Sequence, residues 1–391
     1  MAEINKEKKL EVSVIIPCLN EEDAIGICID KVQEVFERES IAGEIIVVDN
    51  GSTDKSIEIA ESKRVKVEYQ PVKGYGSAYL KGIESAKGQV VAMGDGDNTY
   101  DFLQLKDLLD SINEGNDFVV GSRFKGSILK GAMPFLNRYI GNPVLTGFLN
   151  LFYKADISDA HSGFRAVKKD ILKRLELRTT GMEFASEMIV KALKEGIRIK
   201  EVPITYSPRK GESKLSPLSD AWRHMRFMLL FSPDWLFMIP GLTLFLCGIS
   251  ALIVTGSGWF SLFGHRFDIH AMVFFTFFSL AGFQIINLGL FAKTYSFIEG
   301  FDKENRLLTV FYRNFNLEKG IIIGSSFLGI GSVSGIYIVS KWIKTGFGPL
   351  SELKLSLLFL LFMVIGLQII FSSFFLSLLG LSRNGKSLNH K

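Results

Sequence analysis

Apolar and polar positions follow two regimes along this chain of 391 residues. Through about residue 230, short apolar runs alternate with segments of helical spacing. EVSVIIPCL (11–19) is apolar on both faces, the pattern of a strand covered on both sides. In 21–38 the apolar positions Ala24, Ile25, Ile29, Val32 and Phe36 recur at helical spacing. EIIVVDN (44–50) is a second strand, and Ser52 or Thr53 is placed to cap the helix after it. VKVEYQ (65–70) is a third strand, followed by the glycine-opened helix GYGSAYLKGIESA. QVVAM (89–93) and DFVVGSR (117–123) are the fourth and fifth strands, with LQLKDLLDSINEG as a helix between them. This β-α-β-α order with nearly unbroken apolar strands predicts an α/β domain with a mainly parallel sheet.

The second regime begins near residue 236. Four apolar blocks, about 236–256, 270–292, 320–340 and 355–381, have no charge in their interiors. Each reaches the ~20 residues that a helix needs to cross the hydrocarbon core. Buried helices of a soluble domain would need a larger polar shell than this half carries. The predicted organisation is a tail (1–10), a soluble domain (11–212), an amphipathic juxtamembrane linker (213–235), an α-helical membrane domain of four spans (236–381) and a second tail (382–391). Lys293, Lys303, Arg306, Arg313 and Lys319 crowd one loop, and Arg383, Lys386 and Lys391 the tail. The other loops carry mainly Arg266 and Lys344. That asymmetry predicts a cytosolic soluble domain and cytosolic termini. The N-terminal residues are charged and contain no apolar signal segment. Two further stretches, 133–154 and 215–237, mix apolar residues with Arg, Lys and His. Both fit helices lying on a lipid bilayer, with Trp222 and Trp235 as anchors and Arg223, His224 and Arg226 facing lipid phosphates. The net charge of +4 is modest, and no nucleic-acid motif is present. Cys18, Cys28 and Cys247 have neither metal-ligand nor disulfide spacing.

In parallel sheets, ligands bind at the carboxyl ends of the strands. Asn20 and Glu21, Asp49, Asp95 and Asp97, and Arg123 all lie at such ends. Asp95 and Asp97 repel unless a cation or a proton lies between them. A hard divalent cation takes one or two carboxylates and completes its shell with phosphate oxygens. A solvated turn would explain an isolated Asp-Gly-Asp equally well, but not its convergence with the other strand ends. Asp159 could position a substrate, act as a base or cap a turn, and Arg165 is a candidate partner for it. Glu183 and Glu187, four residues apart on a helix, face a cleft or solvent. His161 has no partner in the sequence and reads as structural.

VSVIIPCLNEEDAI, VVDNGSTDKS, GYGSAYLKGIESAKG and MGDGD occur in order, followed by GSRF, DAHSGFRAVKKD, GMEFASE and EVPITYSPRKGESKL. Together, over about residues 11–215, these resemble the family 2 glycosyltransferases, in particular the dolichol- and polyprenyl-phosphate mannose and glucose synthases. The resemblance implies a GT-A type nucleotide-sugar-binding domain and an inverting transfer to a lipid phosphate. It implies that Pro17, Asn20 and Glu21 line the nucleoside pocket and that Asp49 contacts the base or ribose. Asn50 and Gly74 join this donor-binding set. Asp95 and Asp97 would hold Mg2+ or Mn2+ and the donor diphosphate, with Asp97 as the direct ligand, while Arg209 and Lys214 close over the diphosphate. Two departures stand out. Asn50 occupies the place of a second acid, and Asn98-Thr99-Tyr100 replaces the Leu-Gln pair of mannose synthases.

The second pKa of a phosphomonoester is near ~6, so a lipid phosphate is already mostly a dianionic nucleophile at neutral pH. It needs cations and alignment more than a base. Arg123 and Arg138 are the candidates to grip it, since arginine binds phosphate bidentately. Arg165 and Glu183 complete the acceptor set. The expected partners are a nucleotide sugar, a polyprenyl or dolichyl phosphate and the bilayer, and the spans leave room for a homo-oligomer. Two other readings exist. A processive polysaccharide synthase would carry Q/R-x-x-R-W near the membrane, where RHMRF (223–227) lacks the Trp. A non-catalytic membrane scaffold or flippase partner would not need the intact acids.

Overall fold

A computed structural model of the protein describes residues 10–210, 217–256, 261–262, 265–266, 269–298 and 315–380. Lys214, Lys303, Arg306, Arg313, the side chain of Arg266 and both terminal tails lie outside the described residues. The chain divides into two units, Met1–Met228 and Leu229–Lys391.

In the first unit the five expected strands form as β1 (Val12–Cys18), β2 (Gly43–Asp49), β3 (Lys66–Tyr69), β4 (Val90–Met93) and β5 (Phe118–Ile128). Two more, β6 (Arg165–Lys168) and β7 (Ile199–Tyr206), complete a seven-stranded sheet ordered β3-β2-β1-β4-β6-β5-β7. Four of its pairings are parallel, β1 with β2 and β4, β2 with β3, and β5 with β7. The short β6 runs antiparallel to β4 and β5, so the sheet is mixed but mainly parallel. Its sequence RAVK has charges at both ends and only two apolar residues, too little for a strand signal.

Helix α1 (Ile25–Arg38) presents Ile25, Cys28, Ile29, Val32 and Val35 to the sheet. It begins at Ile25, because residues before it form a turn held from the loop after β2. Ser56 Oγ accepts from the Glu21 amide at 2.7 Å and Asp54 from the Glu22 amide at 3.1 Å. Helices α2 (Ser56–Ser62), α3 (Tyr75–Ser85) and α4 (Leu105–Asn113) follow their strands. The core joins the α1 face to Val14, Ile16 and Val47 of the sheet and to Leu105, Leu108 and Ile112 of α4. The later helices are α5 (Asn142–Tyr153), α6 (Lys169–Leu175), α7 (Phe184–Lys194) and α8 (Pro217–Leu230).

The turn before α5 and α5 itself expose a wide apolar face, from Phe135 at 70% through Tyr139 and Val144 to Leu151. In α5 only Leu145, Thr146 and Leu149 are buried. On α8, Trp222, Arg223 and Arg226 are exposed as expected for an interfacial helix. His224 is not: it is buried, and its Nδ1 lies 2.8 Å from Ser186 Oγ of α7. The imidazole of α8 faces its own domain because a helical period puts it opposite the exposed arginines.

The second unit holds α9 (Ile239–Gly256), α10 (Ile269–Ile298), α11 (Leu317–Lys344) and α12 (Leu353–Gly380). Among the described residues, four helical segments, the first of them Asp234–Gly256, are long and apolar enough to cross a membrane. Glycines set their spacing. A Cβ on Gly282 of α10 would lie 2.3 Å from the Phe245 amide of α9. On Gly324 of α11 it would lie 2.7 Å from the Gly366 carbonyl of α12. Lys293, counted above with a basic loop, is instead a buried residue of α10, and its Nζ pairs with Asp234 at 2.5 Å.

Candidate active site

The carboxyl end of the sheet gathers most of the expected donor residues. Asp49 closes β2, and its Oδ1 accepts from the Ser52 amide at 2.9 Å. Pro17 lies in β1 beside Val48. Asn20, in the left-handed region at φ 51°, accepts from the Thr53 amide at 2.7 Å. Asn tolerates that conformation better than most residues. Thus the loops after β1 and β2 hold each other.

Asn50 is buried and fully engaged. Its Nδ2 donates to the carbonyls of Gln70 and Val72, both at 2.8 Å, and its Oδ1 accepts from the Gly74 amide at 2.7 Å. Its side chain therefore fastens the 70–74 loop. Gly74 has φ +139°, and a Cβ there would stand 2.2 Å from the Thr180 carbonyl. Only glycine fits both constraints. The first turn of α3 then donates to the same segment, Gly76 to the Gly181 carbonyl and Ser77 to the Thr180 carbonyl.

Asp95 and Asp97 follow β4. Tyr75 donates to Asp95 Oδ1 at 3.0 Å, and Tyr79 lies 3.4 Å from the same oxygen. Gly163 packs above it: a Cβ there would meet Asp95 Oδ2 at 3.1 Å and the Tyr75 hydroxyl at 2.8 Å. Burial, and secondly the charge of Asp97, push the Asp95 carboxyl up to about 7. Asp97 accepts at Oδ1 from the Thr99 amide at 3.0 Å and the Thr99 hydroxyl at 2.6 Å. Its Oδ2 lies 3.2 Å from Arg209 Nη1. The other terminal nitrogen of Arg209 pairs with Glu21. Arg209 thus bridges the ends of β1 and β4. Two backbone bonds deliver it there, Ser207 to the Thr99 carbonyl at 2.8 Å and Lys210 to the Asp97 carbonyl at 3.2 Å.

The expected acceptor residues divide. Arg123 is buried and grips Asp159 with two side-chain bonds of 2.7 Å and its own amide at 2.9 Å. Its guanidinium also lies over the Tyr206 ring at 5.2 Å. Asp159 therefore pairs with Arg123 and not with Arg165. Arg165 donates instead to the carbonyls of Ser162, Ala185 and Ala160. Arg138 is half-buried, stacks over Tyr139 at 5.4 Å, and has no carboxylate partner among the described residues. Glu183 sits at the start of α7, near Gly181. Glu187, one helical turn on, is buried and holds the preceding loop through the Thr179 amide at 2.8 Å and the Arg178 amide at 3.0 Å. His161 lies edge-on to His224 at 4.6 Å and 3.3 Å from Ser186, and burial holds its imidazole well below the usual range.

Tyr75, Tyr79, Gly163 and Glu201 escaped the sequence reading. Glu201 holds the Asp159 segment through the amides of Ser158 and Asp159, both at 2.9 Å. The i, i+4 tyrosines after a glycine turn were the one available signal.

Known proteins resemble this chain over both units. A family profile described as Glycosyl transferase family 2 matches residues 13–176. Another, described as Glycosyltransferase family 2 C-terminal transmembrane region, matches residues 290–380. The low-salt glycan biosynthesis hexosyltransferase Agl6 of Haloferax volcanii is 42% identical over 371 residues, covering 94% of this chain and 89% of that protein. The dolichyl-phosphate hexose transferase of the same organism is 34% identical over 212 residues, 54% of this chain and 88% of that protein. A solved glucosyl-3-phosphoglycerate synthase of Mycobacterium tuberculosis, 20% identical, covers 56% of this chain and 79% of its own, with a TM-score of 0.46.

Two predictions come from this geometry. The Asp95 carboxyl, ordinarily near 3.8, keeps its proton to about 7 in the folded protein. Between those values the native state binds more protons than the unfolded chain, so this group's contribution to stability falls as pH rises. Asp95→Asn cannot ionise, and is expected to gain stability relative to wild type between about pH 5 and about pH 8 in metal-free thermal unfolding. Parallel profiles would contradict the assignment. Asn50→Asp would turn an anion toward two carbonyls that now receive N–H groups. It is expected to cost about 1–3 kcal/mol in urea unfolding, with faster amide exchange in residues 70–76.

Proposed function

The chain belongs to the family 2 glycosyltransferases, and from that premise we propose that it moves a hexose from a nucleotide sugar to a polyprenyl or dolichyl phosphate at a membrane surface. It is a glycosyltransferase with a GT-A-like mixed sheet and a C-terminal transmembrane region of four apolar helices. The observation that carries the proposal is the Arg209 bridge between Glu21 and Asp97, beside a strongly perturbed Asp95. A basic side chain already stands there that could turn to the negative charge of an incoming diphosphate. The names of the hexosyltransferase and the dolichyl-phosphate hexose transferase support a hexose and a lipid phosphate.

Asp95 and Asp97 fit Mg2+ or Mn2+. Burial and a like charge make Asp95 a poor anion, the situation that a cation relieves. Among the described residues no third acid, His or Cys joins them to form a closed protein cage. Diphosphate oxygens and water would complete the shell, as is usual for Mg2+. When bound, the ion would offset charge on the diphosphate leaving group. Asn20, Glu21 and Asp49, with Pro17, would form the nucleoside side, and Asn50 and Gly74 would act by shaping the 70–74 loop. Arg209 would exchange its Asp97 contact for the diphosphate, joined by Lys214.

The acceptor dianion would attack the sugar carbon from the opposite side to the diphosphate, inverting its configuration. Among the described residues Arg138 has no carboxylate to share its charge with, so it would carry most of the attraction for the acceptor. Arg123 would aim its remaining N–H groups at the same phosphate. Asp159 would fix Arg123, since both its oxygens already accept from that guanidinium. Arg165 and Glu183 would shape the acceptor side. The protein is a membrane protein, and its distribution of Lys and Arg supports a cytosolic catalytic unit.

Membranes containing the protein, with Mg2+ or Mn2+ and a short polyprenyl phosphate, are expected to turn one of UDP-glucose, GDP-mannose or UDP-N-acetylglucosamine into an acid-labile, chloroform-soluble sugar lipid. Asp97→Ala is expected to lower the rate at least ~100-fold. A water-soluble polymer would identify a processive synthase, and failure to bind any donor a scaffold. Arg138→Gln is expected to raise KM for the lipid about tenfold while leaving donor affinity unchanged. An equal loss for donor and acceptor would remove Arg138 from the acceptor side.

A further inference from the structure

Gln284 places a carboxamide where the bilayer offers it nothing. It lies 15 residues from Ile269 and 14 from Ile298, the ends of α10. At ~1.5 Å per residue it is about 20 Å from either end, in the middle of the span. Its side chain is exposed. On one side Gln368 of α12 donates to Gln284 Oε1 at 2.9 Å. The Gln368 Oε1 is buried and has no hydrogen-bond partner among the described residues. Hydrocarbon supplies no partner for such groups, and each one left unsatisfied is costly.

The residues around Gln284 share a face. Phe274, Phe277, Ala281, Gln284, Leu288 and Tyr295 follow intervals of three, four and seven. Of these, Phe274 is 64% exposed, Phe277 61%, Leu288 42% and Tyr295 55%. The opposite face, with Met272, Thr276, Ser279 and Gly282, is buried. A period of 3.5 marks a seam for a second helix crossing at about 20°, with one polar residue at its centre.

We propose that this face of α10 joins two copies of the chain in parallel, with the Gln284 side chains opposite each other. Copies inserted in the same direction share their depth, so a two-fold axis along the membrane normal brings each residue level with its equivalent. A carboxamide both donates and accepts, and is therefore complementary to itself. Any other partner would need a polar group at that one depth; a second copy has it necessarily. The small Ala281 beside it allows the helices to approach. The inference is independent of which sugar or lipid the enzyme uses, because its test reads association and not transfer.

The test uses the full chain in native membranes, with the exposed Cys247 replaced by Ser. Single cysteines at Phe277, Ala281 and Leu288 are expected to form disulfide-linked dimers under copper phenanthroline. Cysteines at Val333 of α11 and Phe371 of α12, each 68% exposed, are not. In vesicles, Gln284→Leu is expected to weaken association about threefold to tenfold by dilution-dependent energy transfer, and Gln284→Asn to restore part of it. Equal cross-linking at all positions, cross-links to a different protein, or one copy per particle on photobleaching would overturn the proposal.

Discussion

Asp95 and Asp97 bring like charges into a space that largely excludes water, and the catalytic unit is arranged around that repulsion. A lone buried carboxylate takes up a proton; two cannot both ionise cheaply. Each neighbour offsets part of the strain. Tyr75 donates to Asp95, Thr99 holds Asp97 twice, and Arg209 draws the free Asp97 oxygen toward Glu21. What remains appears as the raised affinity of Asp95 for a proton. On the proposed reading, a divalent cation would relieve that repulsion in place of the proton, and Arg209 would be left to meet the diphosphate.

A second set of polar side chains never reaches that space, yet decides its shape. Asn50, Glu187 and Glu201 each bind two or more backbone groups of a neighbouring loop. Buried loops carry backbone groups that must be paired, and these three residues pair them without secondary structure. Asn50 shows why residue type matters: two carbonyls and one N–H face it, a pattern that an amide satisfies and a carboxylate does not.

The first five strands were legible in the chain as short, largely apolar runs, and their ends because polarity changes there, whereas β6 and β7 were not. Asp49, Asp95, Asp97 and Glu21 could be gathered to one edge by topology alone. Partner choice was not legible. Asp159 lies six residues from Arg165 but bonds Arg123, which is 36 residues away in sequence, because β5 and the segment before β6 meet side by side. Glu183 and Glu187 look equivalent on a helix, yet one begins it and the other is buried under a loop. His224 looked like one of three cations facing lipid; its helical phase turns it inward to Ser186. In the spans, nearly uniform apolarity does not say which glycines meet a neighbouring helix, so the Gly282 and Gly324 contacts needed the packed helices.

The contrast between Arg123 and Arg138 shows what a charge is worth in such a protein. A guanidinium held on both oxygens of a buried carboxylate is geometrically rigid but electrically balanced. Its field reaches little beyond the pair, so its usefulness lies in aim. Arg138 has the reverse character: it rests on an aromatic ring, on a segment with exposed Phe135 and Tyr139, and has no carboxylate partner among the described residues. A lipid phosphate must leave a headgroup region rich in water and ions before it can react. Under the proposed transfer, a cation on an apolar surface would offer attraction at that stage, and a fixed, balanced one alignment afterwards. Under that proposal, separating the two tasks would let the domain hold arginine close to its acidic cluster without Arg123 collapsing onto Asp95 or Asp97, because Asp159 holds Arg123 first.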